Sequence, residues 1–114
     1  MITKETAIVI LDQLGGNRFR VMVGATDFAY MTDEKGNVVF IFRFMVDNKL
    51  SANFCRITLT EMDLYTMEFL RVGNGVELDG VKSGVEVVER YDGLYCDMLE
   101  STFASCTGLI TRLF

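Results

Sequence analysis

Histidine, proline and tryptophan are all missing from the 114 residues. Without histidine, the commonest general base, pH switch and zinc ligand is absent. A nucleophile here would need a lysine or a carboxylate as its base. Without proline, the chain lacks the usual blocker of exposed sheet edges. We therefore expect an edge strand open to a homo-oligomer contact or to another partner. Cysteine is scarce. Cys55, Cys96 and Cys106 are odd in number and loosely spaced. They read as reduced, buried residues of a cytosolic protein, not as a disulfide framework or zinc site.

Positive charge is also in short supply. Eleven Lys and Arg stand against 16 Asp and Glu, a net charge of -5, which argues against a generic basic binder of nucleic acid. Long hydrophobic runs are missing too. The longest in the middle of the chain covers residues 38–42, whereas a membrane span needs about 20. The apolar stretch at 7–11 is cut short by Asp12 and is too brief for a secretory leader. The expectation is one cytoplasmic domain over 1–114, with no membrane partner, no metal and no cofactor.

What is present fits a globular chain, with 50% hydrophobic and 24% charged residues. The charge is uneven. Residues 1–60 carry seven basic and six acidic side chains, and residues 61–100 carry three and ten, a local balance of -7. Either the two parts present different potentials to a partner, or the fold brings them together and they neutralise each other.

Local patterns predict the elements. Residues 3–14 read as a helix, with Thr3 as cap, Ala7, Ile8, Leu11 and Leu14 at helical spacing, and Gly15 just past the end. Residues 18–23 alternate as a strand, with Phe19, Val21 and Val23 on one side and Arg18, Arg20 and Met22 on the other. Further strands are expected at 28–32, 37–45, 54–60, 66–72 and 85–91. Asp33 to Asn37 has the composition of a hairpin loop, and Thr60 with Asp63 fits a turn. A polar loop is expected at 46–53 and a glycine-rich stretch at 73–84, with Asp79-Gly80 able to close a small hairpin. Asp92 would cap a last helix over 93–107, with Tyr95, Met98, Leu99, Phe103 and Cys106 as its stripe. The fold class is thus α+β: an N-terminal helix, an antiparallel sheet of five or six strands, and a C-terminal helix. Both helices lie on one sheet face.

No catalytic constellation stands out. Glu61/Asp63 and Asp97/Glu100 could work as acid–base pairs or hold a hard cation, but a turn and a solvated helix face explain them equally. Gly15-Gly16 lies between a helix and a strand, the reverse of a phosphate-binding order. The most informative pattern is arginine placement. If Phe19, Phe40, Phe42 and Ile57 face the core, then Arg18, Arg20, Arg43 and Arg56 line the opposite face, with Phe54, Ile41 and Thr58 between them. Guanidinium groups among apolar side chains can hold phosphates and stack bases, or dock an acidic protein surface. Cross-strand pairs with Glu68 and Glu86, which share the outward parity, would instead make them ordinary salt bridges.

Several short segments carry a family resemblance. They are Leu14-Gly15-Gly16-Asn17 with Phe19, Gly24-Ala25 with Phe28, and Ile57-Thr58-Leu59. Further along come Met62-Asp63-Leu64-Tyr65 with Glu68-Phe69, and Tyr95 with Asp97-Met98-Leu99 before Thr107-Gly108-Leu109. In these the chain resembles small proteins of bacteriophages and prophages. The likeness covers most of the chain outside 73–84. It implies a phage or mobile-element setting in a bacterial cell, and it assigns no activity and no site residue. The resulting expectation is a non-enzymatic accessory protein that binds nucleic acid or a host or phage protein through Arg18, Arg20, Arg43, Arg56 and Phe54. One alternative is an inhibitor or adaptor of a host or defence protein that uses the acidic second half. Another is a carboxylate-dependent enzyme, which would show two converging carboxyls of raised pKa in a concave pocket.

Overall fold

The computed structural model describes residues 3–44, 52–72 and 85–109. Helix α1 (Thr3–Leu14) forms where its periodicity places it. Ala7, Ile10 and Leu14 are buried, whereas Ile8 is exposed, so the stripe is rotated by part of a turn from the expected one. The chain then turns at Gly15, whose φ is +130° and whose missing Cβ would lie 3.0 Å from the Cβ of Phe19. Only glycine fits both the dihedral and the space.

Residues 18–23, expected as a strand, are helical: α2 runs over Gly16–Val23. The reason lies in a spacing that two periods share. Phe19 and Val23 are four apart and fully buried, while Val21 between them is 67% exposed. A strand would have turned all three to one side. Gly24, which reads as a strand breaker, is instead the left-handed C-cap. The N–H of Ala25 donates to the C=O of Arg20, and that of Gly24 to Val21, which is the Schellman closure of a helix end.

Five antiparallel strands follow: β1 (Thr26–Thr32), β2 (Val38–Arg43), β3 (Phe54–Leu59), β4 (Tyr65–Val72) and β5 (Val85–Leu94). They lie in the sheet in chain order, each beside its sequence neighbour. The β1–β2 and β3–β4 connections are the same device. The N–H of Asp33 donates to the C=O of Asn37, and the N–H of Thr60 to that of Leu64. Each pair closes a short loop whose last residue is left-handed, Gly36 in one (φ 83°) and Asp63 in the other (φ 61°). Nothing lies within 4 Å of a Cβ placed on Gly36, so its cost there would be conformational alone. We expect Gly36→Ala to lose about 1–2 kcal/mol. Asp63→Gly relieves left-handed strain but frees the unfolded chain, and should change stability by less than about 1 kcal/mol. Urea unfolding of the two variants measures the contrast.

The last helix starts later than expected. Asp92 and Gly93 belong to β5, where the Thr66 hydroxyl donates to Asp92 and Leu94 sits opposite Tyr65. A single 3-10 turn (Cys96–Met98) then leads into α3 (Leu99–Thr107). Leu99, Phe103 and Thr107 form its buried stripe, and Tyr95 and Met98 stay outside it. Of the three cysteines only Cys55 is buried. Cys96 is exposed and Cys106 half-buried, against the expectation that all three are core residues. Burial pushes the Cys55 thiol well above its ordinary value. Most of the expected 46–53 loop, the glycine-rich stretch with its Asp79-Gly80 hairpin, and the tail beyond 109 lie outside the described residues.

All three helices meet one face of the sheet in a single core. Phe40, Phe42, Cys55, Ile57, Met67 and Phe69 supply the sheet side of it. Phe103 of α3 packs edge-on against Phe19 at 4.9 Å and Phe44 at 5.0 Å between ring centroids. The α+β architecture with an antiparallel sheet is as expected, with a third helix in place of the first expected strand.

Candidate functional site

The described helices all lie on one side, and no described helix covers the other face of the sheet, called the open face below. The register sets its rows. Ala29, Ile41, Arg56, Glu68 and Arg90 lie in line across the five strands. A second row runs through Met31, Val39, Thr58 and Thr66. The face is concave and encloses a groove of about 650 Å³. The β1–β2 loop forms one wall, through Asp33, Glu34 and Lys35.

The polar end of the groove is a chain of ion pairs centred on Glu68. This side chain is 9% exposed and lies between two guanidinium groups. Arg56 Nε donates to its Oε1 at 2.7 Å, and Arg90 Nη1 reaches its Oε2 at 3.5 Å. Arg90 also holds Asp92 at 3.2 Å. The hydrogen bonds from Arg90 and then from Thr66 keep the Asp92 carboxyl below its ordinary pKa. Asp33 is held low in the same direction, first by the backbone N–H of Asn37. Both shifts run against what a general acid needs.

The expected arginine face forms in part. Arg43, Arg56 and Phe54 do share the open face, on β2 and β3, and the Arg43 guanidinium stacks 5.0 Å from the Phe54 ring centroid. Arg18 and Arg20 do not join them, because they lie on α2, in the helical layer. There Arg20 donates to the Asn17 side chain at 2.9 Å. Arg56 is paired with Glu68, and Arg43 with Asp27 at 3.5 Å. Glu86, expected beside Glu68 on the open face, pairs instead with Arg71 in register with it, at 2.8 Å. A bulge in the β4–β5 pairing between Phe69 and Leu70 shifts the parity of β5 between Glu86 and Arg90.

No family model matches the chain, and no curated protein or solved structure matches it. Among the described residues no cluster of three or more His, Cys, Asp or Glu side chains could hold a metal ion. No described helix is long and apolar enough to cross a membrane.

Proposed function

We propose that this chain is a non-enzymatic binding protein of the phage accessory type, and that its concave open face takes a segment of a partner protein. The observation that carries this is the charge balance of the groove. Asp33, Glu34 and Glu68 line it together with Lys35, Arg56 and Arg90, and the deepest of these charges are already paired with each other. A phosphate backbone needs unpaired cations and gains affinity by releasing counterions. A groove that is neutral overall, with Met31, Val39 and Ile41 beside its polar groups, suits a mixed apolar and polar protein surface better. The sequence resemblance to phage and prophage proteins supports the setting.

The acidic second half serves less well as an imitation of nucleic acid. Glu68, Glu86 and Asp92 from that half each face an arginine, and Arg56–Glu68 joins the two unequal parts of the chain directly.

The test is capture of a partner from phage-infected or lysogenic bacteria, in parallel with Ile41→Glu and Thr58→Arg in the groove and Arg18→Ala/Arg20→Ala on α2. We expect the groove variants to lose the partner at least tenfold, and the α2 variant to keep it. A partner indifferent to Ile41 and Thr58 would refute the proposed site. Tight, salt-sensitive binding of single- or double-stranded nucleic acid by the purified protein would refute the choice of partner.

A further inference from the structure

Arg56 and Arg90 flank the same carboxylate but use their donors differently. A guanidinium carries five N–H groups in a planar fork. Every nitrogen of Arg90 is engaged. Its Nη1 reaches Glu68, while Nε and Nη2 hold Asp92. Arg56 commits only Nε, to Glu68 Oε1. Its two Nη nitrogens carry the other four N–H groups and meet no acceptor among the described residues. Arg56 lines the groove and its side chain is 35% exposed, so this end of the fork is within reach of a ligand.

The surroundings of the fork narrow what it takes. Ile41 stands directly opposite Arg56, and Val39 opposite Thr58. An apolar wall therefore begins about 5 Å from the base of the Arg56 side chain. The charges that line the groove are divided. At the sheet end Arg56, Arg90 and Glu68 sum to +1, and on the loop wall Asp33, Glu34 and Lys35 sum to -1. An acidic group is drawn to Arg56 and turned away from the loop, and a basic group the reverse. One fork also suits one anion. Two Nη nitrogens of a single guanidinium match the two oxygens of a carboxylate, whereas a nucleic-acid backbone presents a row of phosphates.

We infer that the partner segment anchors by one aspartate or glutamate, its carboxylate held end-on by Nη1 and Nη2 of Arg56, with an apolar side chain beside it on Ile41. This rests on the groove as the site of a protein partner and adds the chemistry of the contact. Arg56 and Ile41 are cross-strand neighbours, so the acidic and apolar residues project to one side of the segment. They stand two apart in an extended segment, or three or four apart in a helix. Glu68 is a positioning residue, because its bond to Nε fixes the plane of the fork.

A random peptide library displayed on yeast and selected on the purified protein supplies the probes. Each selected peptide is also made with its acidic residue replaced by the amide, Glu→Gln or Asp→Asn. Both forms are titrated against the unaltered protein, Arg56→Lys and Ile41→Ser. Arg56→Lys keeps the charge and loses the fork, and circular dichroism checks its fold. The acid–amide contrast on the unaltered protein does not depend on any variant. There the amide form should bind at least tenfold more weakly. Arg56→Lys should lose a similar factor for the acid form and no longer separate the two forms. Ile41→Ser should weaken both forms alike. Peptides that need Ile41 but lose nothing as the amide overturn the inference and leave the groove as the site. So does a preference for the acid that survives Arg56→Lys. A selection that yields no binder, or only peptides indifferent to Ile41 and Arg56 alike, overturns the groove reading and this inference with it.

Discussion

Phe42→Ala should lower the unfolding free energy by about 3–5 kcal/mol, the range for emptying a large aromatic site in a packed core. That is a large part of the stability of an ordinary domain, about 5–15 kcal/mol. Phe42 is fully buried. Its ring lies within 5.6–6.1 Å, centroid to centroid, of Phe19, Phe28, Phe40, Phe44 and Phe103. Those neighbours come from α2, β1, β2 itself with the residue just past it, and α3, so no single element can relax into the void. Phe42→Leu keeps most of the volume and should lose less. Urea unfolding reads the difference, and equal midpoints for the alanine variant and the parent would contradict the packing described.

A second large effect concerns the Glu68 bridge. Replacing Arg56 and Arg90 together by methionine keeps the carboxylate covered but removes both of its cations. We expect a loss of about 3 kcal/mol at neutral pH, the lower end of the range for a buried charge left unpaired, because the site borders a groove. Adding Glu68→Met to that double variant should restore most of the loss, since an apolar triad needs no counter-charge. If the triple variant is no more stable than the double one, the ion pairs are not what the double variant lost. The same set separates stability from binding. The triple variant should fold but lose the polar end of the groove, and with it part of the affinity for a protein partner.

The features legible in the sequence were those with local causes. Turn chemistry placed both tight hairpins, since Asp33, Gly36, Thr60 and Asp63 act within their own loops. The alternation in β2 and β3 gave the correct inner face, with Phe40, Phe42 and Ile57 buried together. The misread elements were those in which two periods coincide. Phe19 and Val23 suit either a strand or a helix, and only the packing that leaves Val21 in solvent decides. The site inherited that error, because Arg18 and Arg20 reached the open face only if 18–23 was a strand. Glu86 was misplaced for a different reason. A bulge changes which side a residue faces without leaving a mark in the composition, so the outward parity that Glu86 shares with Arg90 holds for Arg90 and fails at Glu86. Asp92-Gly93 has the look of a cap followed by a helix start, yet a tertiary partner, the Thr66 hydroxyl, claims the aspartate for the sheet.

The placement of α3 has a consequence for synthesis. Phe103 touches Phe19, Phe42, Phe44 and Phe69, yet it lies after all five described strands. A polypeptide emerging from the ribosome can therefore zip its meander hairpin by hairpin while a patch of phenylalanine remains wet. Only when the segment containing Phe103 clears the exit tunnel does that patch close. During this interval the nascent molecule is a natural client for a holding chaperone, and a pause in translation before that segment would prolong its exposure.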